Sequence, residues 1–470
     1  MSLNRRQARS FALMGGLFCV IVFIVPRPEA VSPEGWRLTG LFLATIAGLV
    51  LQPIAAGALV LIAVALSTLI GGLSIQEALA GYSTPTVWLV LNAFFISRAI
   101  INTGLARRIA LLFVRLVGGT SLGLCYALSF TDMVLASVIP SNAARSGGVV
   151  LPVTRAVAEL YDSRPGPTAQ RLGSFLMVGV YQGICITAAM FFTGQASNPL
   201  AAEIATQMGY PITWAKWALA GIVPGMAALL FVPWLVHKLE PPEIRRTPEA
   251  AAFAARELEK MGRWSRSEQI VCAVFVSVCG LWVTSGLHGL HITTAALLGT
   301  GTLLVSGVLT FDDIRKERAA WELFIWYGGV LRLGQALNEA GVTTEFARAV
   351  GAAFSGFGWV SLFAIALLVY FYSHYLFASI TAHILAMYGP FVTVLVADGA
   401  PLGLMAFAFA CFVCFSAGLT HYGTTPAPMF FAHGYVPLRK WWTIGFAASL
   451  ANVAIWTLVG FTWWKFVGLW

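Results

Sequence analysis

Residues 139–148 read IPSNAARSGG, and they lie in the middle of a long apolar stretch at about 121–160. A helix that crosses a bilayer needs about 20 apolar residues, and each arm of this stretch is shorter. Pro140 disfavours a helical conformation in the residue before it. Ser141 or Asn142 can cap a helix that restarts after the proline. The pattern therefore predicts a re-entrant hairpin, which enters the membrane, turns at polar residues and leaves on the same side.

A second apolar stretch, at about 357–397, has the same form. Its centre reads FASITAHILA, in which Ser379 takes the place of Ser141, 238 positions earlier. Polar residues again interrupt it, and both arms are again short for a full span. The sequence predicts a second re-entrant hairpin here.

The segments that flank the two stretches also correspond. INTGLARRIA precedes the first and LNEAGVTTEFA the second, so that Gly104 stands in the place of Gly341. FFTGQASNP follows the first stretch and LTHYGTTPAP follows the second. Five spans per half, after one extra N-terminal helix, place the halves in opposite orientations. This is an inverted repeat, which many secondary transporters contain.

The composition is that of a membrane protein. The 470 residues are 58% hydrophobic and only 10% charged, whereas a soluble domain has about 25% charged residues. We therefore predict an all-α polytopic membrane protein with about eleven transmembrane helices and two re-entrant hairpins. The predicted spans are 10–26, 36–52, 55–71, 86–101, 171–192, 214–236, 268–285, 291–309, 321–337, 401–419 and 441–463.

The net charge of +9 follows from the expected topology. With the N-terminus inside, most Lys and Arg residues fall in cytoplasmic segments, as the positive-inside rule requires. This placement argues against a nucleic-acid partner and puts the C-terminus in the periplasm. No signal-peptide cleavage site or transit peptide is evident, which favours a bacterial inner membrane. The predicted organisation is an N-terminal helix at 1–35, a first repeat at 36–236, a cytoplasmic linker at 237–268 and a second repeat at 269–470.

Four polar breaks are the candidate binding elements. Interrupted helices near the bilayer midplane point backbone N–H groups and the positive end of the helix dipole at an anion. Non-helical backbone is tolerated at that depth only when it is buried or faces a water-filled cavity. The candidate substrate-binding residues are Ser141, Asn142, Ala143, Arg145, Asn198, Ser379, Ile380, Thr381, His383, Thr424, Thr425 and Pro426. The candidate residues of the helix-break loops are Thr193, Gly194, Gln195, Thr420, His421 and Gly423.

Arg145 and His383 occupy equivalent positions, four residues after Ser141 and Ser379. An ionisable residue inside a membrane is costly and indicates function. We expect both to supply positive charge to a bound anion. The alternative is that Arg145 extends to the cytoplasmic face and His383 is a hydrogen-bonded core histidine. Asp132 is placed to pair with either Arg98 or Arg145.

Six motifs resemble one known family. IPSNAARSGG, SITAH, HYGTTPAP, TDMVLAS, YFYSHY and FFAHGYVPL are similar to motifs of the divalent anion/sodium symporter family, especially its 2-oxoglutarate/malate translocators and citrate/succinate antiporters. The resemblance runs from about residue 36 to the C-terminus. It implies a homodimeric elevator-type carrier of di- or tricarboxylates, such as 2-oxoglutarate, malate, succinate, citrate or tartrate. It also implies a Ser-Asn-Thr signature at each hairpin tip.

Two departures from that signature bear on coupling. Ala143 replaces a threonine at the first tip and Ile380 replaces an asparagine at the second. Because sodium needs several oxygen ligands and isoleucine offers none from its side chain, sodium coupling becomes doubtful. The sequence therefore favours sodium-independent antiport, with a sodium- or proton-coupled symporter as the alternative. We expect no metal or organic cofactor. A membrane-embedded enzyme would leave the ordered repeat unexplained, and the second half shows no ring-forming filter signature of the kind that a channel would need.

Overall fold

A computed structural model describes residues 4–353 and 358–470, and throughout this part of the chain the regular elements are helices. Ten of the helices it describes are long and apolar enough to cross a membrane. The chain is thus an all-α, multi-pass membrane protein. Residues 1–3 of the predicted N-terminal helix and residue 357, the first of the predicted second hairpin, lie outside the described residues.

Each predicted span corresponds to a helix. The helices before the second repeat are Arg5–Cys19 with a π-helical turn Val20–Ile24, Pro33–Leu51, Ala56–Leu69, Ile75–Ala80, Pro85–Asn102, Leu105–Val117, Ser121–Ala136, Asn142–Arg145, Leu151–Leu160, Gly173–Met190, Asn198–Gln207, Trp214–Leu239 and Pro248–Met261. The later ones are Arg266–Val283, Ser285–His288, Ile292–Val305, Phe311–Lys316, Arg318–Glu339, Val342–Ala353, Trp359–Tyr372, Ile380–His383, Gly389–Ala397, Leu402–Ser416, Pro426–Phe431, Leu438–Ile455 and Phe461–Phe466.

Polar residues fix where several of these helices begin. Capping boxes start helices at Asn4, Ser74, Ser265 and Thr310. In each, the side chain accepts a hydrogen bond from the backbone N–H three residues on, and the Gln, Glu or Asp side chain at that position accepts one from the backbone N–H of the capping residue. These bonds satisfy N–H groups that have no partner inside a helix. The short helices at 75–80, 105–117 and 342–353 were not predicted as separate elements.

The two hairpins repeat element by element. The first hairpin (residues 121–160) and the second hairpin (described residues 358–397) each have a first arm, a single helical turn, a π-helical turn and a final helix. The single turns begin at Asn142 and Ile380, and the π-helical turns at Ser146 and Ile384. Each pair stands 238 positions apart, so the same sequence offset relates both turns of the first hairpin to those of the second.

A glycine with a positive φ precedes each hairpin's flanking helix. Gly104 (φ 83°) and Gly341 (φ 76°) lie at the starts of the helices Leu105–Val117 and Val342–Ala353. This left-handed conformation is strained for residues that carry a Cβ atom. The glycines allow the chain to turn sharply between a spanning helix and the helix that leads into the hairpin.

Two helices are interrupted. The first broken helix (Gly173–Met190 and Asn198–Gln207) and the second broken helix (Leu402–Ser416 and Pro426–Phe431) contain the first break (191–197) and the second break (420–425). The described Gly173–Met190 segment is entirely buried. Hydrogen bonds join the two helices, since Tyr181 Oη donates to the Ala417 carbonyl and Gln182 Nε2 to the Gly418 carbonyl.

A following helix approaches each broken helix through a glycine. A Cβ atom on Gly221, in Trp214–Leu239, would lie 2.4 Å from the Met190 carbonyl oxygen. A Cβ atom on Gly445, in Leu438–Ile455, would lie 2.4 Å from the Gly418 carbonyl oxygen. Both contacts involve backbone, which cannot move aside as a flexible side chain can. The breaks are therefore held by close backbone packing.

The linker is more ordered than a solvated connector. The Arg108 guanidinium forms a buried ion pair with the Glu268 carboxylate (2.6 Å) and also donates to the Gly262 carbonyl. Thr247 Oγ1 donates to the Gly118 carbonyl at 2.7 Å. These contacts seat the helix Pro248–Met261 against Leu105–Val117. The predicted linker therefore contains an ordered helix that packs against the first repeat.

We expect Gly221→Ala and Gly445→Ala to lower the thermal unfolding midpoint in detergent, because overpacking against backbone costs about 1–3 kcal/mol. Gly280→Ala is the control, since nothing lies within 4 Å of its added Cβ atom. The control should unfold at the wild-type temperature or slightly above it. Equal midpoints for Gly221→Ala and Gly280→Ala would show that the close approach is not rigid.

Candidate functional site

A serine caps the helical turn at the tip of each hairpin. Ser141 Oγ accepts a hydrogen bond from the Ala144 N–H (3.1 Å), and Ser379 Oγ accepts one from the Ala382 N–H (3.3 Å). The first N–H groups of each turn have no helical partner. The predicted capping by Ser141 is confirmed, and Ser379 repeats it.

Arg145 is fully buried, and its donors are used inside the protein. Nε lies 2.9 Å from Asp132 Oδ1, and Nη2 donates to Asn142 Oδ1 at 2.6 Å. Nη1 donates to two backbone carbonyls, Ile139 at 2.6 Å and Gly194 at 2.8 Å. The side chain thus joins both arms of the first hairpin to the first break.

The charge of Arg145 is balanced by Asp132, whose side chain is also fully buried. The predicted pairing of these two residues is confirmed, whereas Arg98 lies 3.5 Å from Glu317. In this structure Arg145 neither extends to the cytoplasmic face nor has a donor left for a substrate carboxylate. The expectation that Arg145 presents free positive charge to an anion is corrected.

His383 is fully buried and belongs to a hydrogen-bonded chain. The Gly423 carbonyl can only accept, so His374 Nε2, at 2.8 Å, must donate to it. His374 Nδ1 can then accept from His383 Nδ1, at 2.9 Å. His383 Nε2 lies 3.2 Å from Ser373 Oγ, whose hydroxyl donates to the Tyr370 carbonyl at 2.8 Å. In this assignment each ring is neutral and donates one hydrogen bond through its N–H group. The geometry places His383 as a core histidine rather than a cation facing the substrate.

The two repeats build the same tie with different chemistry. Tyr370 stands 238 positions after Asp132, as His383 does after Arg145. The ring centroids of Tyr370 and His383 are 4.4 Å apart, so an aromatic pair replaces the ion pair. The sequence analysis missed Tyr370, although the repeat offset applied to Asp132 identifies it.

Gln195 of the first break and Asn198, directly after the break, form one buried cluster with the first tip. Asn142 Nδ2 donates to Gln195 Oε1 (3.3 Å), and Gln195 Nε2 donates to Asn198 Oδ1 (3.0 Å). Gln195 Nε2 also lies 3.0 Å from Cys414 Sγ in the second broken helix. Thr193 turns away and donates to the Ser137 carbonyl at 2.6 Å. Cys414, which the sequence analysis did not place in the site, is therefore part of the cluster.

The second break is less connected. His421 Nδ1 accepts from the Trp442 indole N–H at 3.1 Å, within a group of aromatic rings. Thr420 and Thr424 are buried, whereas Thr425 is exposed. Hydrogen bonds from His374 Nε2 to the Gly423 carbonyl and from Tyr422 Oη to the Tyr375 carbonyl (2.8 Å) tie this break to the second hairpin.

A cavity of about 450 Å³ lies at the second tip. Ser379, Thr381 and Ala382 line one side of it. The other side is formed by the ends of Pro33–Leu51 and Ala56–Leu69 and by the start of Arg318–Glu339. The lining residues on that side are Gly48, Leu49, Gln52, Ile54, Ala55, Ala56, Glu322 and Trp326. Ile380, between the two tip hydroxyls, is buried away from the cavity lining.

Arg145→Met should destabilise the protein strongly, by about 3–5 kcal/mol, because it leaves the Asp132 carboxylate buried without its partner. Arg145→Met combined with Asp132→Leu should recover much of that loss, since no charge then remains buried. The free energy of unfolding, measured in mixed micelles, checks both.

The control is Arg155→Met, which removes an exposed pair with Glu159 (3.1 Å). It should change stability by less than about 1 kcal/mol. If Arg145→Met costs no more than this control, the buried pair does not stabilise the first hairpin.

The chain has known relatives along its whole length. Residues 7–470 match the family model described as the sodium:sulfate symporter transmembrane region. The putative malate transporter YflS of Bacillus subtilis is 44% identical over 96% of this chain and 95% of its own length. The chloroplastic dicarboxylate transporter 1 of Arabidopsis thaliana is 41% identical, over 96% and 82%. The inner membrane protein YbhI of Escherichia coli is 34% identical, over 100% and 99%.

A solved structure shares the fold. The YdaH transporter of Alcanivorax borkumensis, whose topology its title describes as unusual, aligns over 98% of both chains with a TM-score of 0.53 and 13% identity. At that identity the likeness concerns architecture alone. The family match covers nearly all of the sequence and explains the resemblance of the six motifs. The chain therefore belongs to the family of the sodium:sulfate symporter transmembrane region, the divalent anion/sodium symporters.

Proposed function

We propose that this membrane protein exchanges one dicarboxylate for another by a sodium-independent elevator mechanism. Its relatives at 34–44% identity include proteins named as malate and dicarboxylate transporters, which supports dicarboxylates as the substrate class. The observation that carries sodium independence is the bond from Arg145 Nη2 to Asn142 Oδ1. The guanidinium takes one lone pair of this amide oxygen and places a positive charge beside it, which disfavours a sodium ion there.

The tips fit sodium poorly. Sodium is a hard cation that takes oxygen ligands. At the first tip the Asn142 oxygen is bound to a guanidinium, and at the second tip Ile380 offers no side-chain oxygen. The proposed cycle therefore includes no bound sodium ion. A tricarboxylate such as citrate remains a candidate substrate beside the dicarboxylates.

Helix dipoles can balance the substrate charge instead. Four helical segments begin at the tips and breaks, at Asn142, Asn198, Ile380 and Pro426. The start of a helix carries about half a positive charge. Four starts together approach the charge of a dicarboxylate without a bound cation. This replaces the fixed-charge role first expected of Arg145.

The same dipoles explain obligatory exchange. With no substrate, the N–H groups and hydroxyls of the tips would lose water as they cross the scaffold, and unpaired buried polar groups are costly. A bound dicarboxylate satisfies them. Each crossing is then favourable only when the site is loaded, so uptake needs an anion on both sides.

The lining of the cavity at the second tip supports substrate entry from the cytoplasmic side in this structure. On the expected topology, Gln52, Ala56 and Glu322 lie at the cytoplasmic ends of their helices, with the N-terminus inside and the C-terminus in the periplasm. The structure would then be the inward-open state, with Ser379 and Thr381 facing the cytoplasm.

We also propose a homodimer held by the scaffold helices, which crosslinking in native membranes would test.

The exchange proposal predicts that labelled malate enters liposomes only when they contain a dicarboxylate. The purified protein would be reconstituted into vesicles loaded with malate, succinate, 2-oxoglutarate, citrate or buffer alone. Uptake should be the same with and without a sodium gradient. Protein-free liposomes are the control. Sodium-driven uptake into vesicles that hold only buffer would instead identify a symporter, and a proton gradient in the same assay would test proton coupling.

Thr381→Val should raise the KM for a dicarboxylate about tenfold or more, because a hydrogen bond to a charged group is worth about 1.5–3 kcal/mol. Thr393→Val is the matched control in the same hairpin, since Thr393 Oγ1 donates only to the Gly389 carbonyl. Initial rates of counterflow over a range of concentrations give both KM values. A wild-type KM for Thr381→Val would remove the second tip from the binding site.

A further inference from the structure

We propose that Gln195 is a positioning residue for the substrate, as the central member of a one-directional amide relay that fixes how Asn142 faces the site. The relay is defined as Arg145, Asn142, Gln195 and Asn198. It joins the first tip to both halves of the first broken helix. The substrate part of this inference rests on the proposed function, whereas the direction of the relay rests on the hydrogen bonds alone.

Each link of the relay has a donor followed by an acceptor. Arg145 Nη2 donates to Asn142 Oδ1 at 2.6 Å, and Asn142 Nδ2 donates to Gln195 Oε1 at 3.3 Å. Gln195 Nε2 donates to Asn198 Oδ1 at 3.0 Å. Asn198 Nδ2 ends the relay by donating to two backbone carbonyls, those of Ala188 at 2.7 Å and Phe191 at 2.8 Å. Three successive amides therefore point the same way.

The direction is fixed independently at both ends. An amide can normally be rotated to exchange its oxygen and nitrogen, so its orientation must follow from its partners. A guanidinium only donates, so Asn142 must turn its oxygen toward Arg145. Backbone carbonyls only accept, so Asn198 must turn its nitrogen toward Ala188 and Phe191. With both ends set, Gln195 has one orientation that satisfies both neighbours.

The relay is sealed from water. Asn142, Gln195 and Asn198 are 7%, 4% and 0% exposed, and Arg145 is 0% exposed. The second N–H of Gln195 points to Cys414 Sγ at 3.0 Å. A reversed amide would place two oxygens against each other in this buried cluster, where an unsatisfied polar group is costly.

The relay determines which group Asn142 presents to a substrate. Its oxygen is bound to Arg145, and its amide nitrogen carries two hydrogens, of which Gln195 takes one. The other remains for a substrate carboxylate at the first tip. The relay thus turns a residue that could offer either an acceptor or a donor into a fixed donor, which suits an anion. Gln195 does not touch the substrate and acts through Asn142.

The test is Gln195→Glu, which keeps the shape and removes one donor. An ionised carboxylate can accept from Asn142 but cannot donate to Asn198. A protonated carboxyl group has one O–H donor and can restore the link. The charged and titratable groups around this position are Arg145, which donates to the adjacent Gly194 carbonyl, Asp132, which pairs with Arg145, and Cys414, whose Sγ lies 3.0 Å from Gln195 Nε2.

Counterflow of labelled malate should show a KM raised about tenfold for Gln195→Glu at about pH 8 and restored toward the wild-type value at about pH 5.5, because burial favours the protonated acid. Gln195→Leu should show the raised KM at both pH values. Asn92→Asp is the matched control, as Asn92 is a buried amide of Pro85–Asn102 that donates to the Trp88 carbonyl. Its KM should stay at the wild-type value at both.

Two outcomes would overturn the inference. One is a wild-type KM for Gln195→Glu at both pH values, and the other is a KM raised as much as that of Gln195→Leu at both pH values.

Thermal unfolding midpoints distinguish failure of the relay inference from failure of the proposed function. If the wild type exchanges no dicarboxylate, the proposed function fails, and the relay still predicts acid-restored stability for Gln195→Glu. Should that variant not fold, Asn198→Asp removes the donor at the next link, and its stability should likewise recover in acid.

Discussion

The buried ion pair between Arg145 and Asp132 is the interaction on which the rest of the first repeat depends. A charge in the interior of a membrane protein is tolerated only when it is paired and hydrogen-bonded. Here the guanidinium meets a carboxylate, an amide oxygen and two backbone carbonyls, and Thr187 of the first broken helix donates to the same carboxylate. Both arms of the first hairpin and the first break are thereby fixed to one another.

In the second repeat, uncharged side chains fix the hairpin to the break. His383 stacks on Phe377, with ring centroids 4.6 Å apart, and reaches the Gly423 carbonyl through His374. Neutral rings need no counter-charge, so this tip depends on aromatic packing. The cavity lies at this second tip. The two repeats are therefore alike in backbone but differ in the groups that they present to an anion. The first tip is held by an ion pair, whereas the second tip presents two accessible hydroxyl groups.

Electrostatics then link the fold to the proposed exchange. Arg145 is neutralised by its partner, so it orients neighbouring groups rather than attracting a substrate directly. What remains to meet an anion are backbone N–H groups at helix starts and the hydroxyl and amide donors of the tips. Such groups are satisfied by a bound carboxylate and unsatisfied when it is absent. In such a carrier, crossing the membrane with a bound substrate would be energetically favoured over crossing without one.

The sequence by itself determined the membrane class, the spans, both hairpins, the breaks and the family, because hydropathy and helix interruption are local properties of the chain. It also identified Asp132 and Arg145 as possible partners. Only the tertiary structure decided that the guanidinium points into the protein, that His383 bonds to His374, and that Cys414 joins the cluster at Gln195. The physical reason is that the cost of burying a charge or an amide depends on which distant groups surround it, and residues up to 219 positions apart supply them here.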